Sequence, residues 1–297
     1  MGTARFGKVL TAMVTPFRDD GALDVEGAAD LARWLVEHGN DGLVLAGTTG
    51  EAPTVSDDEK VELWRTVRGA VDVPIVAGTG SNDTRHSVGL TERAAECGVD
   101  GILAVTPYYS RPSQAGIDAH FRAIAGASDL PVLIYDIPIR TGRKVATDVL
   151  VRLANEAPGV AGIKDATGNP GETARVIADA PDDFDVYSGD DAQTLPLMAV
   201  GAVGVIGVAT HWLAATMGEA LAAFDKGDLA RARELNARML RSFAFETGDA
   251  CPNPGPTKAL LAALGLPGGE CRLPMGPIPD AVRAEADAIV AELGLLA

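Results

Sequence analysis

The stretch Gly159-Val160-Ala161-Gly162-Ile163-Lys164-Asp165-Ala166-Thr167 runs an apolar segment into a lysine that is followed at once by an acid. Burying an ammonium is costly unless something compensates it. One reading makes Lys164 a structural ion, snorkelling or paired with Asp165. The other makes it an amine kept neutral by its surroundings, able to form a Schiff base with a carbonyl substrate. Such chemistry needs a proton shuttle for carbinolamine formation and dehydration, and donors for the substrate's carboxylate. Tyr135 closes another apolar run and could move protons, with Thr48 and Tyr109 as a hydroxyl chain to solvent. The turn Gly47-Thr48-Thr49-Gly50 offers backbone N–H groups and the Thr49 hydroxyl to an α-keto acid. It is too short for a phosphate loop, and no Gly-Lys-Ser/Thr follows it. Arg140 is suited to bidentate pairing with a second carboxylate.

These residues need elements that bring them to one place. Val9 to Phe17 reads as a first buried strand, and residues 24–38 carry Ala28, Leu31, Ala32 and Leu35 at helical spacing. A second strand spans Gly42 to Ala46, and Ser56 with Glu59 forms a capping-box signal for the helix that follows. Strands then recur at 74–77, 101–105, 132–135, 160–163, 184–187 and 204–208. Helices begin near Asn82, Ser113, Thr147, Gly171 and Asp191. All eight strands are apolar throughout, as expected when both faces are covered. Repeated right-handed crossovers of this kind predict a (β/α)8 TIM barrel. The rival, an open doubly wound sheet, lacks a Gly-x-Gly-x-x-Gly after the first strand. In a barrel the carboxyl ends of the strands form the active face, and there stand Thr48-Thr49, Tyr108-Tyr109, Tyr135 and Lys164. Residues 1–212 are thus expected to form the barrel core. Residues 213–297 are expected to form a C-terminal helical extension that includes the last barrel helix.

Composition narrows the class of partner. The 297 residues hold 25 Lys+Arg against 41 Asp+Glu, a net charge of −16, which disfavours nucleic acid and anionic membranes. Three cysteines without a Cys-x-x-Cys pair, and four histidines without ligand spacing, make a disulfide framework or a metal site improbable. A soluble cytoplasmic protein is the expectation, since no basic patch leads into an apolar core at the N-terminus.

Gly47-Thr-Thr-Gly-Glu51, Tyr135-Asp-Ile-Pro-Ile-Arg-Thr-Gly142 and Gly162-Ile-Lys-Asp-Ala166 together resemble the pyruvate-dependent class I aldolase superfamily, which includes dihydrodipicolinate synthases and N-acetylneuraminate lyases. The resemblance spans nearly the whole chain, and Tyr-x-x-Pro-x-Arg-Thr-Gly points to the synthase branch. It implies that Lys164 forms an imine with pyruvate and that Tyr135, Thr48 and Tyr109 relay protons. It further implies that Thr49 holds the pyruvate carboxylate, that Arg140 grips aspartate semialdehyde, and that Gly189 and Ile206 line the pocket. The implied reaction condenses pyruvate with aspartate semialdehyde on the way to diaminopimelate and lysine. No metal or organic cofactor is implied beyond the covalent imine. The implied assembly is a homotetramer of tight dimers in which the residue matching Tyr109 enters the partner's site. The alternatives are a sugar-acid or hydroxy-oxo-acid lyase on the same scaffold, and a catalytically idle keto-acid sensor.

Two departures from the family pattern stand near the site: Asp136 where Asn is frequent, and Ile139 where a small residue is frequent. Others concern the lysine feedback site, where Asn82 and Tyr108 are retained. Asp57, Lys60 and His86 replace the histidines and glutamate of feedback-inhibited members, so weak or absent inhibition by lysine is expected.

Overall fold

The computed structural model describes residues 2–248 and 251–295. The chain opens with β1 (Val9–Ala12), α1 (Val25–Glu37), β2 (Gly42–Leu45) and α2 (Asp57–Ala70). It continues with β3 (Ile75–Gly78), α3 (Thr84–Glu96), β4 (Gly101–Val105) and α4 (Gln114–Ala125). β5 (Val132–Asp136) leads through a one-turn α5 (Pro138–Thr141) to α6 (Thr147–Glu156), β6 (Val160–Asp165) and α7 (Pro170–Asp179). β7 (Asp185–Ser188), α8 (Thr194–Ala199) and β8 (Gly204–Gly207) complete the alternation. Then come α9 (Thr210–Asp225), α10 (Leu229–Glu246), α11 (Gly255–Ala263) and α12 (Asp280–Leu293). The eight strands form a closed parallel barrel in sequence order, the TIM-barrel topology that the alternation predicts. No described helix is long and apolar enough to cross a membrane.

The element starts follow from side-chain chemistry. Ser56 accepts from the Glu59 amide while the Glu59 carboxylate accepts from the Ser56 amide, a complete capping box. Asp24, Asp83, Ser113, Asn169 and Asp228 cap α1, α3, α4, α7 and α10 in the same way, each giving a side-chain oxygen to an orphan amide. The strands are buried almost throughout, which explains their continuous apolar character. β1 is shorter than the apolar run Val9–Phe17. Beyond Ala12 the Met13 amide still reaches the Val44 carbonyl, but the Val14 amide is taken by Nε2 of His211, and Pro16 has no N–H to give. Those residues are buried without being strand.

By packing, the chain divides into two compact units. The first comprises the residues up to Lys8 with Pro74–Ile206. There Asp185, fully buried at the start of β7, accepts from the amides of Thr3, Ala4 and Arg5 at 2.5, 3.0 and 2.9 Å. The Tyr187 hydroxyl donates to the Gly7 carbonyl and accepts from the Phe6 amide. The second unit comprises Val9–Val73 and the chain from Gly207 onward. In it α9 and α10 pack as a hairpin about the Gly227-Asp228 turn, held inside by Trp212 Nε1 donating to Ser242. Because α9 begins at Thr210, residue 212 falls in its first turn. α11 and α12 pack on each other.

Candidate active site

In the first unit β5 and β6 pair so that Tyr135 stands opposite Lys164 and Asp136 opposite Asp165. Successive strand residues face opposite sides of the sheet. Tyr135 and Lys164 therefore share one face and the two acids share the other. Both members of the first pair are buried, and the Lys164 amine lies 4.4 Å from the centre of the Tyr135 ring. Gly189, following β7, lies against the lysine stem. A Cβ there would come within 2.9 Å of Lys164 Cγ and 3.1 Å of its Cε, so glycine is what lets the stem lie across this strand end. Ile206 on β8 is fully buried. Asp165 does not act as the lysine's structural counter-ion. Its oxygens accept from the Thr167 amide at 2.9 Å and the Thr173 hydroxyl at 2.6 Å, on the helix side of the sheet.

Arg140 lies on α5, in the loop that leaves β5. Its neighbour Ile139 is 90% exposed, and Gly142 ends the turn at φ +69°, a left-handed value that suits glycine. Asp136 begins this loop and closes it: its Oδ2 accepts from the Val145 amide at 3.2 Å, while Oδ1 is buried without a hydrogen-bond partner. Burial pushes the Asp136 carboxyl up to about 7. The Asp165 charge adds to that rise, while the Val145 amide, Lys144 and Thr106 work against it.

In the second unit the Gly47–Glu51 turn is braced by distant sequence. Asn253 Nδ2 donates to Thr49 Oγ1 at 2.9 Å, and the Thr257 hydroxyl donates to Asn253 Oδ1. Because Thr49 Oγ1 accepts from Asn253, its own hydroxyl hydrogen is directed elsewhere, as a carboxylate-binding donor requires. Thr15 donates to the Gly50 carbonyl at 2.6 Å. Glu51 sits at φ +54° and is held by Lys258 at 2.7 Å and the Arg272 amide at 2.8 Å. Thr48 is half-buried beside it.

The structure thus brings Lys164, Tyr135 and Gly189 together in one unit and shows how Thr49 is oriented in the other. It does not bring Tyr109 to Tyr135 within one chain, because the Tyr109 ring is 91% exposed. Tyr109 also has φ +68°, and Ala46, Glu51 and Arg111 share the left-handed region. These four are all but one of the non-glycine residues with positive φ among those described. All follow β2 or β4, and strain of this kind concentrates at functional sites. Sequence reasoning missed Asn253, Lys258 and the loop-closing role of Asp136. A signal existed for Lys258, a lysine inside the apolar run of α11.

Comparison with known proteins shows the family. The model of the dihydrodipicolinate synthetase family matches residues 5–293. A 4-hydroxy-tetrahydrodipicolinate synthase of Acidothermus cellulolyticus is 51% identical, over 92% of this chain and 87% of its own length. One from Moorella thermoacetica is 46% identical over 98% of this chain and all of its own. Among solved structures, the lysine-bound enzyme of Cyanidioschyzon merolae superposes with TM-score 0.95 at 40% identity, covering 98% of this chain and 99% of that one. The dihydrodipicolinate synthase DapA-2 of Bacillus anthracis gives 0.93 at 41%, with the same coverage. With the family model spanning nearly its full length, this chain belongs to the dihydrodipicolinate synthetase family.

Proposed function

We infer that the chain is a 4-hydroxy-tetrahydrodipicolinate synthase, condensing pyruvate with aspartate semialdehyde through a Schiff base. The observation that carries this is a buried Lys164 at the end of β6, directly across from Tyr135, in a chain of this family. The Lys164 amine adds to the pyruvate carbonyl, and loss of water from the carbinolamine gives the imine. Loss of a methyl proton gives an enamine, whose carbon attacks the aldehyde. Attack of the substrate's own amine on the imine carbon closes the ring and frees Lys164. Tyr135 is the shuttle for the protons of these steps, with Thr48 and Tyr109 completing the relay. Thr49 holds the pyruvate carboxylate, Arg140 grips the carboxylate of the aldehyde, and Gly189 and Ile206 shape the pocket.

A relay that includes Tyr109 requires a second copy of the chain, since the ring is exposed in one copy. A tight dimer, doubled to a tetramer, supplies it; light scattering on the purified protein tests this. Three buried cysteines outside any disulfide, among the described residues, suit a reducing cytoplasm. Inhibition by lysine is weak or absent. Lys60 is buried beside Asp57 and its charged form is disfavoured by burial, while His86 Nδ1 lies 3.2 Å from the Ser81 hydroxyl. Half-maximal inhibition at sub-millimolar lysine would overturn that expectation.

The deciding experiment is pyruvate-dependent consumption of aspartate semialdehyde, coupled to a dihydrodipicolinate reductase. Turnover abolished by Lys164→Ala is expected. Borohydride trapping of pyruvate without turnover would keep the aldolase mechanism and reassign the aldehyde. Arg140→Ala separates the synthase from a sugar-acid lyase. The KM for aspartate semialdehyde rises by about ten- to a hundredfold, the worth of charge-assisted hydrogen bonds, while pyruvate trapping is kept.

A further inference from the structure

The Thr49 hydroxyl can serve a carboxylate in one sense only. A hydroxyl has one hydrogen and two lone pairs and turns to suit its neighbours, whereas a carboxylate only accepts. Asn253, two residues ahead of α11, is buried and donates from Nδ2 to Thr49 Oγ1 at 2.9 Å. The amide is held in that sense from behind, because the fully buried Thr257, in the first turn of α11, donates to its Oδ1 at 3.2 Å. One lone pair of Thr49 is thereby filled, and no described residue accepts the Thr49 hydrogen. The turn itself is kept in shape by other groups. The Glu51 amide donates to the Thr48 carbonyl at 3.0 Å and the Ala52 amide to the Gly47 carbonyl at 3.2 Å. Thr15 holds the Gly50 carbonyl, while Lys258 and the Arg272 amide hold the Glu51 carboxylate. Asn253 therefore adds a direction to a hydroxyl whose place is already set.

We propose that Asn253 is a positioning residue for the keto acid: by donating to Thr49 it fixes the Thr49 hydroxyl as a donor to the pyruvate carboxylate, with Thr257 setting the sense of the amide. This rests on the reading that Thr49 holds that carboxylate. An amide turned over would present Oδ1 to Thr49 and take its hydrogen, leaving a lone pair to face the negative charge of the substrate. Asparagine, not aspartate, is thus the residue this place requires, since an aspartate can only accept from both threonines.

The test compares wild type, Asn253→Asp, Asn253→Ala, Thr49→Val and the double variants of Thr49→Val with each Asn253 substitution. It reads the two KM values in the coupled assay at pH 8 and the pyruvate concentration that half-saturates borohydride trapping. Thr49→Val and Asn253→Asp are each expected to raise the pyruvate KM and the half-saturating concentration by about ten- to a hundredfold, the worth of a hydrogen bond to a charged group. Asn253→Ala leaves the hydroxyl free to turn and is expected to raise them by about two- to fivefold. The aldehyde KM should change far less in all of them. Each double variant should be no worse for pyruvate than Thr49→Val alone, because Asn253 acts through Thr49. A pyruvate KM unchanged in Asn253→Asp means that the amide has the opposite sense and overturns the proposal. Multiplying effects in the double variants, or an equal rise of both KM values in Asn253→Ala, overturn it too, the first showing action apart from Thr49 and the second a general disturbance. If Asn253→Asp does not fold, Asn253→Ala and its double variant decide. If Thr49→Val leaves the pyruvate KM unchanged, it is the assignment of Thr49 that fails.

Discussion

Two of the buried lysines, Lys258 and Lys164, stand at positions of opposite meaning. Lys258 in α11 is fully enclosed. Its amine meets the Glu51 carboxylate at 2.7 Å and the Glu270 carbonyl at 3.1 Å, and lies 4.2 Å from the centre of the Phe17 ring. Burial lowers its pKa and the Glu51 charge works against that fall. Lys164 is buried to a similar degree, with the Tyr135 ring and Gly189 against it. A carboxylate at contact holds an amine as its ammonium, which has no lone pair to offer a carbonyl. Lys258 is thus committed to holding Glu51, and with it the turn that presents Thr49. The lesson is that burial alone does not mark a nucleophile.

The comparison can be broken most directly at Lys164. Lys164→Ala is expected to lower turnover by about four orders of magnitude or more while the melting temperature changes little. A variant with substantial activity would make the two lysines equivalent and the assignment wrong. Lys258→Ala should do the reverse. It leaves Glu51 buried without its cation, at a cost of about 3–5 kcal/mol in urea unfolding, yet the folded fraction should still trap pyruvate on Lys164. Lys258→Met combined with Glu51→Gln should recover most of that loss. A third measurement concerns the buried acid beside the reactive pair. The unfolded Asp136 carboxyl ionises near 3.8 and the folded one near 7, so between those values the folded state holds a proton that the unfolded state has released. Stability therefore falls as pH rises from 4 to 7 and is level above. Asp136→Asn removes the effect, and its gain over wild type should grow across that window to at most about 4 kcal/mol. A gain independent of pH would show that Asp136 is ionised throughout.

Much of this was legible in the sequence because its signals are local. Each strand is a short apolar run, each helix start carries its own cap, and Lys164 and Tyr135 stand at the ends of such runs. The convergence on one face follows from the barrel. What was not legible joins residues far apart in the chain or lies in segments without a period. Asn253 reaches Thr49 across 204 positions from a loop of prolines and glycine. Asp136 closes onto Val145 around a one-turn helix too short to show in a hydrophobic pattern. The true end of β1 depended on His211, a residue of α9, capturing the Val14 amide. Lys258 was a different omission: the rule that singled out Lys164, a lysine in an apolar run, applies to it equally.

The clasp of Asp185 on residues 3–5, with Tyr187 on Phe6 and Gly7, also sets a timetable for biosynthesis. Those residues leave the ribosome about 180 positions before their partners on β7. At the usual pace of synthesis they wait roughly 10 to 40 s without their native partners. The first unit accordingly cannot close while the chain is still short of β7, however early its inner strands pair. Folding of this half is a late event in translation, and a slowing of the ribosome before residue 185 lengthens the interval in which chaperones can act on it.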